Sequence, residues 1–146
     1  MRTGAEVAIF VTRRGRSEVL VAHRNPTLGG YWHTIAGGIE PGEEAAAAAV
    51  RELREETGLE AAPVPVADAV EYAYPLHEEP PERRALYPAN LVAVQVTCFL
   101  VDAPDDWEPT LDWEHDDHRW LPPQDAADLL RWPDTAEALR RVLGTS

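Results

Sequence analysis

The chain has 146 residues, 45% hydrophobic and 27% charged, which is the balance of one soluble globular domain spanning residues 1–146. Its formal net charge of −13 excludes the basic surface that nucleic acid or an anionic membrane would need as a partner. No apolar run reaches the roughly 18 residues of a membrane span, and Met1–Gly4 does not open a signal peptide, so a cytoplasmic protein is expected.

Glu6–Thr12 and Glu18–Arg24 are rich in β-branched residues and read as strands, joined as a hairpin by a turn at Arg13–Ser17. Asn25–Gly30 is loop chemistry, and Tyr31–Ala36 returns as a short strand. Gly37, Gly38, Pro41 and Gly42 then lead into a helix that opens with Glu43 and Glu44 and continues through Ala45–Ala49. Thr57-Gly58 supplies its stop. Val64–Leu76 reads as a long extended segment, and His77–Asn90 as a polar, proline-containing loop. Leu91–Val101 is the most apolar strand and belongs at the centre of a sheet; its Cys98 is expected to be a small buried hydrophobe. After an acidic loop, Asp117–Leu121 is the last strand. Pro122-Pro123 opens a helix over Gln124–Leu130, and Asp134 caps a final helix over Thr135–Leu143. This order suggests a mixed sheet covered on both sides by helices.

The chemistry concentrates in Arg51-Glu52-Leu53-Arg54-Glu55-Glu56, near the end of the first helix. At about 100° per residue, Glu55 lies about 60° to one side of Glu52 and Glu56 about 40° to the other. Three carboxylates therefore crowd one face within a turn, an arrangement that destabilises a helix unless something neutralises it. Val50 and Leu53 mark the adjoining buried face, and Arg51 stands one turn before Glu55 and can pair with it. Clustered oxygen ligands suit hard cations such as Mg²⁺ or Mn²⁺. Left alone, the same cluster would be a solvated acidic face.

The spacing decides between the two. Residues 37–59 satisfy every fixed position of G-x5-E-x7-R-E-U-x-E-E-x-G-U, where U is a bulky aliphatic residue: Gly37, Glu43, Arg51, Glu52, Leu53, Glu55, Glu56, Gly58 and Leu59. A chance match arises in about one window in 10⁸. The stretch resembles the Nudix box of the Nudix hydrolases. The resemblance implies an α/β/α sandwich and metal-dependent hydrolysis of a diphosphate linked to another moiety. Glu52, Glu55, Glu56 and the Gly37 carbonyl would be metal ligands, Arg51 would orient the carboxylates, and Glu43 would support the water network. An acid outside the box would add a ligand or a general base. Glu114 is the candidate, with Asp116 and Asp117 as rivals, and the base is either Glu52 or Glu114.

Further matches resemble the dihydroneopterin triphosphate diphosphatases of that family: Tyr31-Trp32 before the box, Arg83 and Arg84 followed by Tyr87-Pro88, and Glu114 six residues before Trp120. They imply that Trp32 stacks on a base or pterin ring and that the arginines, with Arg24 as a weaker candidate beside His33, grip phosphates. His23, His77, His115 and His118 show no metal-ligand spacing. The expected enzyme, a monomer or homodimer, takes a nucleoside or pterin triphosphate. Pro75 and Tyr74 fall near positions that ADP-ribose and dinucleoside polyphosphate members use. A non-catalytic nucleotide sensor is a third possibility that the complete set of box carboxylates disfavours.

Overall fold

The computed structural model describes residues 2–65 and 71–144. Its strands are β1 (Ala5–Arg13), β2 (Glu18–Arg24), β3 (Trp32–His33), β4 (Ile35–Gly38), β5 (Val64–Pro65), β6 (Glu71–Pro75), β7 (Ala93–Asp102) and β8 (His115–Leu121). Its helices are α1 (Ala45–Thr57), α2 (Pro81–Arg84), α3 (Pro123–Leu129) and α4 (Pro133–Leu143).

Burial continues along β1 without a break. Val7, Ile9 and Val11 belong to one core layer, Ala8 and Phe10 to the other. A strand that is apolar on both faces must lie inside a sheet covered twice. β7 runs parallel to it in continuous register, Ala5 opposite Gln95 through to Thr12 opposite Asp102. The strand order is β3-β2-β1-β7-β5, with β4 also on β1, β6 on β7 and β8 on β2. Those other pairings are antiparallel, so the sheet is mixed. α1 covers one face through Ala48, Ala49 and Leu53, and α3 and α4 cover the other through Ala126, Ala127, Ala138, Leu139 and Val142. This is the expected α/β/α sandwich. Cys98 is buried in β7, and burial pushes its thiol up to about 12, so it packs as a small hydrophobe.

The β1–β2 turn puts Arg14, Gly15 and Arg16 at φ of 56°, 67° and 65°. Non-glycine residues seldom adopt that conformation. Here Asp102 at the end of β7 and Asp105 just after it hold them: the Arg14 N–H donates to Asp105 (3.0 Å) and Arg16 Nε to Asp102 (3.1 Å).

Several boundaries differ from the sequence expectation, each for a local reason. α1 begins at Ala45, not Glu43, because Glu43 turns back and its side chain accepts the Glu40 N–H (3.0 Å). Its buried stripe is Ala48, Ala49, Leu53, Glu56 and Thr57, with Val50 only half-buried. Tyr31–Ala36 is broken at Thr34, whose hydroxyl donates to the Ile9 carbonyl (2.7 Å). Of the extended segment, Val64–Pro65 and Glu71–Pro75 are strands; residues 66–70 lie outside the described part. The stretch after it is no featureless loop: it holds α2 and buries Tyr87. α4 starts at Pro133 with Trp132 at the cap position, leaving Asp134 to favour the helix dipole from within the first turn.

Candidate active site

Gly37 lies on β4 opposite Val7, and the Glu52 side chain rests against its backbone. A Cβ built at position 37 would overlap the Glu52 carboxyl group, so the residue has to be glycine for the carboxylate to lie there. Arg51 fixes the same carboxylate from the other side. Its Nη1 donates to Glu52 (2.8 Å), Nε and Nη2 grip both oxygens of Glu43 (2.9 and 2.8 Å), and Nη2 also reaches the Gly38 carbonyl (2.9 Å). The contact with Glu55 that helical spacing allows is longer, at 3.4 Å, and Glu40 lies at 3.9 Å. Arg51 thus ties the glycine-rich loop to α1. The guanidinium also holds Glu43 down to about 2.

The three box carboxylates meet solvent unequally. The Glu55 side chain is 52% exposed, Glu52 13% and Glu56 4%. Burial pushes Glu52 up against the opposing pull of Arg51. It pushes Glu56 well above the usual carboxylate range, reinforced by Glu52, Glu114 and Asp112. Glu56 has no such arginine, and its Oε2 is buried without a hydrogen-bond partner.

A bulge in β2–β8 completes the surroundings. Leu121 through Asp117 pair with Val19 through His23 in steady register; the register then shifts, and His115 stands opposite Arg24 where Asp116 would otherwise be. Bulges re-aim side chains beside sites in this way. His115 is consequently buried with Nε2 3.9 Å from Glu56 Oε1, while Asp116 is turned away to His23 (2.7 Å). Glu114, in the turn just before β8, accepts from Arg24 Nη1 (3.3 Å). His33 is neutral, driven down to about 3 by burial and by Arg24, His115 and Arg83. Among the described residues, the buried side-chain atoms left without a hydrogen bond are Arg24 Nε, His33 Nδ1, Glu56 Oε2 and His115 Nε2. Arg24 and His115 are cross-strand neighbours, His33 feels the charges of both, and His115 faces Glu56. Such orphaned groups mark a place built for a ligand or bound water.

The donor set here is oxygen-rich and hard, and the free Oε2 of Glu56 and the Gly37 cradle fit a divalent cation. No three acidic, histidine or cysteine side chains among the described residues are already drawn into a closed cage.

The structure therefore brings Gly37, Arg51, Glu52, Glu55, Glu56, Glu114 and Arg24 to one place. It does not bring Trp32, whose ring packs into the layer covered by α3 and α4, under the Arg119 guanidinium at 4.7 Å and edge-on to His23. Nor does it bring Tyr87, whose hydroxyl donates to Glu6 (2.6 Å). Arg83 sits between Glu79 (3.7 Å) and the Tyr74 hydroxyl (3.4 Å), close enough to influence His33. Arg84 is exposed and lines a separate hollow of about 700 Å³ with Leu76, Pro81 and Tyr87. His115 is the residue that spacing missed. The one sign of it in the sequence is its place beside Glu114 and three residues after Asp112.

The chain is 34% identical over 143 residues to a Myxococcus xanthus protein named octanoyltransferase, a match that spans 97% of this chain but 36% of that longer one. It is 28% identical over 111 residues to the mouse bis(5'-nucleosyl)-tetraphosphatase [asymmetrical], covering 75% of this chain and 68% of that one. In fold it is similar to the E. coli dihydroneopterin triphosphate pyrophosphohydrolase, with a TM-score of 0.83 at 19% identity over 99% of this chain and 98% of that one. It is similar also to a C. elegans Ap4A hydrolase, with a TM-score of 0.71 at 19% identity over 96% and 95%. The model of the Nudix domain matches residues 2–142, and the chain accordingly belongs to the Nudix family.

Proposed function

We propose that this chain, read as one domain over residues 1–146, is a pyrophosphohydrolase of a nucleoside or pterin triphosphate, releasing a monophosphate and pyrophosphate. Nudix hydrolases in general need divalent metals and act on small molecules; here the cation would be Mg²⁺ or Mn²⁺. The observation that carries the reading is the buried, unpartnered oxygen of Glu56 beside a Glu52 braced by Gly37 and Arg51. The Gly37 carbonyl, Glu52, Glu55, Glu56 and Glu114 would hold the cation. When bound, such a cation neutralises phosphate oxygens and makes a bound water more acidic.

The chain's own groups do the rest. Arg51 keeps Glu52 in place through the helix-to-loop tie. Glu114, at 34% exposure and held among the described residues by Arg24, is the better placed of the two acids to accept a proton from water, since Glu52 is already engaged by Arg51. The Arg24 guanidinium, whose buried Nε has no partner among the described residues, would take a phosphate oxygen. Arg83 would act from the rim. Among the described residues no helix is long and apolar enough to cross a membrane, and the net charge of −13 disfavours nucleic acid. A cytoplasmic monomer or homodimer is part of the proposal.

A second substrate class, a dinucleoside polyphosphate, is favoured by the likeness to the mouse tetraphosphatase. Tyr74 does not support it, because its hydroxyl donates to Glu6 (2.9 Å). The experiment is release of phosphate or pyrophosphate, with Mg²⁺ or Mn²⁺, from dNTPs, dihydroneopterin triphosphate, ADP-ribose and a dinucleoside tetraphosphate. Pyrophosphate from a triphosphate supports the proposal. Tight binding of one ligand without turnover of any would replace the enzyme with a sensor.

A further inference from the structure

Behind Glu56 stand buried His115 and half-buried Asp112, two side chains that the chemistry above leaves unused. His115 Nδ1 stands 2.9 Å from Asp112 Oδ1, and the imidazole side chain is 1% exposed. Its Nε2 is buried without a partner and points at Glu56 Oε1, 3.9 Å away. The other Glu56 oxygen is unpartnered too. A histidine with one nitrogen on an aspartate and the other directed at a carboxylate has its ring plane set by the first contact. The pair lies about 1 Å beyond hydrogen-bond length, poised instead of bonded.

We propose that His115, oriented by Asp112, is a positioning residue for Glu56. It steadies the Oε1 side of the carboxylate, so that Oε2 is presented to a divalent cation. This rests on the reading of Glu56 as a ligand. Partners behind a ligand side chain fix its direction and typically change metal affinity by about 10–100-fold when removed. The β2–β8 bulge serves this arrangement, since without it Asp116 would occupy the position and bring a further negative charge toward Glu56.

The test uses Mn²⁺ alone, its free concentration followed by electron paramagnetic resonance, with the thermal midpoint measured with and without the ion. His115→Asn keeps a nitrogen near the Nδ1 position for Asp112 and nothing near Nε2; His115→Gln places an amide nitrogen near Nε2. The expected result is Mn²⁺ affinity about 10–100-fold weaker in His115→Asn and largely restored in His115→Gln. Wild-type affinity in His115→Asn, or equal losses in both variants that follow their thermal midpoints, overturns the proposal. If His115→Asn does not fold, Asp112→Asn decides instead: weakened Mn²⁺ binding supports the proposal and unchanged binding overturns it. Glu56→Gln separates the two levels. Its loss of Mn²⁺ affinity beside an unaffected His115→Asn sinks only the positioning role, whereas unchanged affinity in Glu56→Gln sinks the ligand assignment and this proposal together.

Discussion

The carboxylate of Glu52 occupies the space that a side chain at Gly37 would need. Gly37 has no left-handed backbone, so alanine is conformationally acceptable there, and the atoms its Cβ would meet first are those of that carboxylate. Gly37→Ala should therefore fold and fail. We expect kcat to fall by about 10–100-fold, as for other displaced metal-site supports, with little change in the far-ultraviolet circular dichroism. Full turnover in this variant would mean that Glu52 acts from some other position.

Arg51 makes a planar fork to Glu43 while also reaching Glu52 and the Gly38 carbonyl. Lysine keeps the charge and loses the fork. Arg51→Lys should lower kcat by about tenfold or more and leave KM nearly unchanged, because the guanidinium is taken up by Glu43, Glu52 and the Gly38 carbonyl. A rise in KM alone, measured by steady-state kinetics, would assign it to substrate binding.

The acid limb of stability should report Glu108. Arg13, followed by His118 and Trp120, holds this carboxyl down to about 2, and Arg13 itself lies buried against the Trp120 ring. A depressed carboxyl stabilises the fold above its unfolded value of about 4.3. That contribution fades as pH falls from there toward about 2, where the folded group also takes up its proton. Glu108→Gln should flatten the thermal midpoint between pH 5 and 2 while leaving activity near neutrality intact. An unchanged acid profile would remove Glu108 from the account.

Trp32 was expected from sequence to stack on substrate, and its packing against the α3–α4 layer leads to a different outcome. Trp32→Ala should lower the thermal midpoint, by a loss on the order of 2 kcal/mol for a half-buried aromatic, with KM unchanged. A raised KM at an unchanged midpoint would restore the stacking role.

Glu56→Gln tests burial against chemistry. The metal-free protein should be at least as stable as wild type, because the change removes a buried acid crowded by Glu52, Glu114 and Asp112. Turnover should fall by orders of magnitude if the lost charge binds the cation. Calorimetry in a chelator and an assay with Mg²⁺ read the two separately.

The local chemistry of the box was legible in the chain. Glycines at 37 and 58, alanines through the helix and three acids on one turn are constraints between near neighbours, and helical geometry alone relates them. The two-sided burial of β1 and β7 was legible for the same reason, since an unbroken apolar run has to be covered on both faces. What neighbours cannot fix is which distant groups meet. The β2–β8 bulge brings His115, not Asp116, opposite Arg24 and toward Glu56, and a shift of one residue in strand pairing leaves no mark in composition. Likewise, tertiary packing put Trp32 against the layer covered by α3 and α4 and the Tyr87 hydroxyl on the Glu6 carboxylate. Sequence set the kind of chemistry, because that depends on side chains a turn apart; the fold chose its supporting residues, because they depend on register between strands about 90 positions apart in the chain.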